Sequence, residues 1–553
     1  MRINSLHLAI LATAFLGCSS DKTGGTGGAT AGATQTGGGA ANVAGSANPS
    51  GGTNASAGSA TAGSPATGGS APAGGSATGG TLGGVGGSSG AATGPGGAST
   101  GGSGTAGAST TSGITVKLDA THQTIEGFGI NDALAKSGAA YSTTVLDNLF
   151  TTTGADAIGL SILRIGMSPT GALNGTPQSD IDGAKTRGAK IIGSCWTPPA
   201  NCKSNNNTQN GGSVLESCYG SWSDTIMNFA TQNGLYAMSI GNEPDFASCG
   251  SVEPCNGNYD TTTYTANQMV KFVKVAGPKL QAKGIKVIAP EASEWVHIWS
   301  NESGTGSDPG KKNSSDPFKC GFPASSTACT MGDGYDYGHW LAKDADAWKA
   351  FDILGLHEYD TQHAEAWPSD VTAARKEVWQ TEMSGVKWWP EQGPSSDISN
   401  GVAVAGWIHS ALTVGEASAW LWWWYQSYYT DDNEGLLLMS GGSPTKRYYT
   451  LGNYSKFVRP TYQMVEVAGN SNADLLISGF KGPDGTVVVV AVNKGAAALT
   501  VPIAISGGTA PAMMTPNVTS ATDNLKAGTA VAVSGGSFMA SLPSKTVTTF
   551  VGK

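Results

Sequence analysis

From Ile114 onward, short apolar runs alternate with longer segments of mixed character. The apolar runs are Ile125–Ile130, Leu160–Ile165, Lys190–Cys195, Tyr236–Ile240, Lys286–Ala289, Ile353–His357, Glu377–Thr381 and Ala419–Trp424, and each reads as a strand. Between them, segments such as Tyr264–Ala282 and Ser399–Val414 repeat apolar positions at helical spacing. Eight alternating β and α units predict an α/β fold, a (β/α)8 TIM barrel spanning 114–450, with its chemistry at or just past the C-terminal ends of the strands. Arg164, Trp196, Glu243, His357, Tyr359, Glu382 and Trp424 all fall at such positions.

Past Leu451 the texture changes. Ala473–Phe480, Thr486–Asn493, Leu499–Ile505, Ala530–Val533 and Lys545–Val551 alternate or run β-branched, with Gly, Asn and Pro between them, which predicts a C-terminal antiparallel β-sandwich over 451–553. Ile114–Leu118 has the same character, so 114–120 is expected to supply a strand to that sandwich.

The N-terminal part follows neither pattern. Arg2, an apolar stretch from Leu6 to Leu16 and then Gly17-Cys18 read as an export signal over 1–18, with Cys18 as a candidate for lipidation. The expected location is therefore an outer-membrane or cell-surface lipoprotein, with plain secretion as the alternative. Residues 19–113 are almost entirely Gly, Ser, Thr and Ala, and Gly24 to Gly113 contains no charged or aromatic side chain. Such a stretch has nothing to bury against the cost of ordering and is expected to act as a disordered tether. As a Gly-rich coil its mean reach is on the order of 50 Å. The only membrane contact expected is a lipid at Cys18.

The formal charge of −9 argues against a nucleic-acid partner, which would demand a basic face. Of eight cysteines, six form close pairs in polar segments (Cys202 with Cys218, Cys249 with Cys255, Cys320 with Cys329), and in an exported chain disulfides are their expected state. Cys195, inside an apolar run, is expected to be a buried free thiol. No Cys/His cluster has ligand spacing, so no metal is expected, nor any other cofactor. All fifteen tryptophans lie between Trp196 and Trp424, and flat indole faces suit sugar rings.

Two stretches carry the chemistry. Ser239-Ile240-Gly241-Asn242-Glu243-Pro244 and Trp379-Gln380-Thr381-Glu382-Met383-Ser384 each set a glutamate at the end of a strand. Two carboxyls facing one pocket are what glycoside hydrolysis needs: one protonates the leaving oxygen, the other attacks the sugar or stabilises its cation.

With these residues in place, the stretch from about Ile114 to Lys553 resembles glycoside hydrolase family 30 of clan A, in particular its bacterial glucuronoxylanase and endo-xylanase members. The resemblance rests on Ile125-Glu126-Gly127-Phe128-Gly129, Ser194-Cys195-Trp196-Thr197-Pro198-Pro199, the two glutamate stretches, His357-Glu358-Tyr359, Tyr454-Ser455-Lys456-Phe457-Val458-Arg459-Pro460 and the closing Leu542–Phe550. It implies a retaining enzyme with Glu243 as acid/base and Glu382 as nucleophile. It further implies Asn242 on the sugar 2-hydroxyl, Arg164 and Tyr359 orienting the nucleophile, and Trp196, His357 and one or both of Trp422 and Trp424 shaping the subsite at the cleaved bond. Strand alternation puts Trp422 and Trp424 on one face and Trp423 on the other.

One departure bears on substrate. Glucuronoxylan-specific relatives carry an arginine after the eighth strand that clamps the uronate. Here Tyr425-Gln426-Ser427-Tyr428-Tyr429 runs into Asp431-Asp432-Asn433-Glu434, which holds no cation. Lys446 and Arg447, further along, are the alternative clamp. The expectation is a monomeric endo-β-1,4-xylanase that does not require glucuronate. The alternatives are a β-1,6-glucanase, a β-1,6-galactanase or a glucosylceramidase-like enzyme and, outside enzymes, a non-catalytic polysaccharide-binding surface protein.

Overall fold

The computed structural model describes residues 113–134, 140–209, 211–246, 260–300, 335–359, 364–385, 396–426, 434–437 and 443–553. The export segment, the tether up to residue 112, the pairs Cys249/Cys255 and Cys320/Cys329, and residues 427–433 lie outside the described residues.

Strand β1 (Ile114–Thr124) opens the folded part. The barrel follows as β2 (Gly127–Asn131), β3 (Ile162–Met167), β4 (Lys190–Cys195), β5 (Ala237–Ser239), β6 (Lys286–Ala292), β7 (Ile353–His357), β8 (Glu377–Glu382) and β9 (Ala417–Gln426). Each is parallel to its neighbour, and β9 pairs with both β8 and β2, which closes the ring. The short β10 (Gly435–Leu437) pairs with the far end of β9.

Two sets of side chains follow from the alternation. Ile162, Ile192, Ala237, Ile288, Ile353, Trp379, Ala419 and Leu421 point inward and plug the barrel. Their neighbours point out under the helices and belong to the large core. The helix Ala266–Gln281 starts where its sequence allows, with Thr265 and Gln268 forming a reciprocal capping box. The helix Ile398–Thr413 starts at Asp397, whose carboxylate accepts from Ser399 N.

The C-terminal strands are β11 (Gln463–Ala468), β12 (Leu475–Lys481), β13 (Val487–Asn493), β14 (Leu499–Ser506), β15 (Met513–Thr519), β16 (Lys526–Ala527), β17 (Val531–Ala532), β18 (Ser537–Leu542) and β19 (Thr546–Gly552). The order is β16-β15-β19-β13-β12-β11-β1-β14-β18, with β17 on β15. Neighbours are antiparallel except β1 and β14, which run parallel. Strand β13 is apolar throughout because both its faces are covered. Val487, Val489 and Ala491 enter the sandwich core, while Val488, Val490 and Val492 join the core of the barrel side.

Strands β11, β15, β16 and β18 fall outside the runs that stand out in the sequence, and the run Ala530–Val533 shrinks to two residues. The expected 450/451 boundary falls inside a helix, Lys446–Ser455, whose side chains from Arg447 to Ser455 are buried.

Candidate active site

Parallel strands would carry their inward alternation straight to the barrel mouth, but here the register slips by one residue at three places toward that end, besides a slip at Ser418 between β8 and β9. Pairing of β6 with β7 skips Glu291, pairing of β7 with β8 skips Thr381, and pairing of β2 with β9 skips Trp423. A bulge re-aims the residues beyond it. The slip at Thr381 sets Glu382 opposite His357. Glu243 and Glu291 both hold left-handed backbone, φ 47° and 63°, where a side chain is strained and where functional residues are often found. Their main chains meet, since Glu243 N donates to Glu291 O at 3.0 Å.

Arg164 is the hub. It is fully buried, and each face of its guanidinium fork has a partner: Nε donates to Glu291 Oε1 (3.2 Å), Nη1 to Glu382 Oε2 (2.8 Å) and Nη2 to Asn242 Oδ1 (2.6 Å). Tyr359 donates its hydroxyl to Glu382 Oε1 at 3.0 Å. His357 sits between the two carboxyls, with Nδ1 3.1 Å from Glu243 Oε1 and Nε2 3.8 Å from Glu382 Oε2. Burial holds its pKa below the ordinary histidine value.

The two glutamates differ in environment. Burial, reinforced by Asp245, raises the Glu243 pKa to about 8, and its one polar neighbour in sequence, Asn242, reaches it only at 3.5 Å. Burial also pushes Glu382 upward, but His357 and Arg164 oppose it. Glu382 takes a guanidinium N–H and a phenol O–H, contacts that favour its anion.

Two further acids were not singled out from the sequence. Burial works against Glu291, yet Arg164, His357 and Ser194 (Oγ to Oε2, 2.6 Å) bring its carboxyl below the ordinary range. Asp245 is similarly buried and held low by His297 (Nδ1 to Oδ2, 2.6 Å) and by the amide and hydroxyl of Ser293. Glu291 had the same signal as Glu243 and Glu382, a glutamate at the end of an apolar run.

The aromatic residues need one correction. Trp422 and Trp424 do not share a face, because the bulge in β9 breaks the alternation between them. Trp422 points outward, donating to Glu434 O at 2.7 Å beneath the Arg447 guanidinium. Trp423 and Trp424 stack at 5.0 Å and gather with Trp196 and Ala133 at the barrel mouth. Trp424 is fixed there by its bond to Ala133 O, and Trp196 lies against the Arg164 guanidinium. A Cβ on Gly166 would stand 3.3 Å from the Trp196 ring and 2.9 Å from the Ala133 Cβ, so glycine gives these groups their room.

Glu358 lies on the outward side, where it accepts from Trp420 Nε1. Neither alternative clamp is set toward the glutamates. Lys446 bonds Asn524, and Arg447 is buried on Gly435 O and Asn400. The sulfurs of Cys202 and Cys218 are 2.07 Å apart, and Cys195 is a buried free thiol. Among the described residues, Glu243, His357 and Glu382 bring ligand-type atoms within 4.8 Å of one another. A metal ion there would sit beside the Arg164 cation, which already occupies the Glu382 carboxylate.

Residues 463–550 match the glycosyl hydrolase family 30 beta sandwich domain. Glucuronoxylanase XynC of Bacillus subtilis (strain 168) is 28% identical over 464 residues, covering 80% of this chain and 92% of that relative. The glycoside hydrolase family 30 subfamily 8 xylanase Xyn30A from Clostridium acetobutylicum superposes with TM-score 0.61 at 26% identity, over 80% of this chain and 99% of its own. The family 30 endoxylanase of Clostridium papyrosolvens C71 does so with TM-score 0.60, also at 26% identity, over 80% of this chain and 100% of its own.

A barrel with two carboxyls facing across its mouth, alike in fold and sequence to these enzymes, is a glycoside hydrolase. The sandwich match, the similarity to XynC and the two family 30 xylanase structures together support membership of glycoside hydrolase family 30.

Proposed function

We propose that the protein is a retaining endo-β-1,4-xylanase working by double displacement, with Glu382 as nucleophile and Glu243 as acid and then base. The observation that carries this reading is the pairing itself: oxygens of Glu243 and Glu382 lie within 4.8 Å of each other, and Glu382 is the one bonded to Arg164. Retaining enzymes set their carboxyls about 5–5.5 Å apart, whereas inverting ones leave about 6.5–9.5 Å for a water.

In the first step Glu243 gives its proton to the glycosidic oxygen as the C1–O bond breaks, and a Glu382 oxygen forms the new bond to C1. In the second, Glu243 takes a proton from water, the water oxygen bonds C1, and Glu382 leaves as carboxylate. Arg164 and Tyr359 stabilise that leaving carboxylate. Asn242, held by Arg164, presents its amide to the sugar 2-hydroxyl, and Trp196, Trp423 and Trp424 form the aromatic wall of the subsite.

The relatives that are xylanases support xylan as the polymer. The enzyme does not require glucuronate: Tyr425–Glu434 carries no cation, and Lys446 and Arg447 are engaged elsewhere. It works outside the cytoplasm as a monomer on a long tether from lipidated Cys18. Incorporation of a palmitate analogue into wild type but not Cys18→Ser checks the anchor.

The test of function is digestion of glucuronoxylan, unsubstituted xylan, β-1,6-glucan and β-1,6-galactan by wild type and Glu382→Gln, with products sized by mass spectrometry. Xylo-oligosaccharides from both xylans, absent with the variant, are the expected result. Products from a hexose polymer alone overturn the substrate, and no product from any of them favours a binding protein.

A further inference from the structure

The site contains two buried carboxylates that double displacement does not use, Asp245 and Glu291, and the contacts of Glu291 reach both glutamates. Glu291 is fully buried at the bulge that ends β6 and holds strained left-handed backbone. One side-chain oxygen takes Arg164 Nε and the other takes Ser194 Oγ, while its main-chain carbonyl takes the Glu243 amide. Arg164 in turn spends its remaining contacts on Glu382 and Asn242. One residue thus touches the backbone of one glutamate and, through a rigid planar fork, the carboxylate of the other.

We propose that Glu291 is a positioning residue for the reaction: it fixes the angle of Arg164, and with it the distance and charge balance between Glu243 and Glu382. This rests on the acid/base and nucleophile roles given above. Without Glu291, the guanidinium has one anion fewer to answer and is free to turn about its long axis, and Glu382 and Asn242 lose their common reference. The buried cation would also act on Glu382 alone, making it a weaker nucleophile.

The charge balance gives a readout that plain structural support would not move. Groups facing this cluster are Arg164 from β3, Ser194 and Cys195 from β4, Glu243 and Asp245 after β5, His357 and Tyr359 at and after β7, and Glu382 on β8. Glu291 pushes the Glu243 carboxyl upward and does the same to Glu382. Taking its charge away lowers both, so both limbs of the pH profile move to lower pH.

The experiment is Glu291→Gln in the full chain, assayed on the polymer cut fastest in the substrate panel. Its kcat is expected to fall on the order of 10-fold to 100-fold while KM stays within about twofold, as for other residues that orient a reacting group. Both pH limbs are expected to shift acidward. Unmoved limbs, or kcat within about twofold of wild type, overturn the inference.

Should Glu291→Gln fail to fold, Ser194→Ala tests the same point, because it keeps the charge and removes one anchor of the carboxylate. A several-fold lower kcat with unchanged KM and unmoved limbs supports the proposal, and unchanged kcat overturns it. Glu382→Gln separates the two levels. An active Glu382→Gln sinks the nucleophile reading itself. An inactive one, with normal Glu291→Gln and Ser194→Ala, sinks this inference alone.

Discussion

At the N-terminal end of the barrel, Glu126 accepts from Lys190 and Tyr236, and Lys286 donates to Glu377 at 2.9 Å. Both lysines lie over the Tyr236 ring, at 4.4 and 5.3 Å. At the C-terminal end Arg164 joins Glu291 and Glu382 with similar bonds. The plug of Ile162, Ile192, Ala237, Ile288, Ile353, Trp379, Ala419 and Leu421 lies between the two ends. The partners at the lower end are 19–36% exposed, whereas Arg164, Glu291 and Glu382 are 0–5% exposed. Water screens the first set, so each pair contributes little. The second set is desolvated, which makes every charge there costly and every neighbour felt. What separates a site from a surface pair in this barrel is desolvation, not the residue types.

The sharpest way to break that contrast is Glu382→Gln, expected to lower kcat/KM by on the order of 10⁴ or more without lowering Tm, read by product release and thermal unfolding. Glu243→Gln comes next. Loss of proton transfer costs roughly 10²–10⁴ in rate, and the variant is expected to lack the alkaline limb expected of wild type as pH rises through about 8.

That substitution also tests linkage. The Glu243 pKa is raised to about 8 from 4.5, so the folded state binds the proton more tightly than the unfolded chain. Wild-type stability contributed by this group is full below 4.5 and is lost as pH rises to about 8. Glu243→Gln is therefore expected to be more stable than wild type above pH 8, by a margin that vanishes in acid.

Arg164→Met leaves two buried carboxylates without their cation, and a loss of about 3–5 kcal/mol in denaturant unfolding is expected. The smallest effect belongs to the other end of the barrel. Glu126→Gln is expected to change stability by no more than about 1 kcal/mol and to leave kcat and KM alone, although it removes the same kind of carboxylate. A loss as large as that of Arg164→Met would mean that burial does not set the two ends apart.

How much of this was legible beforehand follows the same division. All eight barrel strands show as apolar runs, because strands covered on both faces need no polar positions. Glu243, Glu382, Arg164 and Tyr359 stand at strand ends that those runs locate. The bulges were not legible, since nothing in Trp422-Trp423-Trp424 marks which residue is skipped, and period-2 counting then puts Trp424 with the wrong neighbour. Glu291 was within reach, but Pro290 before it does not read as part of a strand, so the apolar run in the sequence ends at Ala289. In the sandwich, Thr515, Pro516 and Asn517 interrupt β15, and β18 is short, opens on Ser537 and exposes Met539, which leaves both little contrast with turns.

The most direct measurement is to incubate the enzyme with an activated aryl 2-deoxy-2-fluoro-β-xylobioside and map the modified peptide, following product anomers by proton NMR. A fluoroglycosyl group on Glu382 and a β-anomer as first product are the predicted results. A label on any other residue, or an α-anomer formed first, would contradict the account.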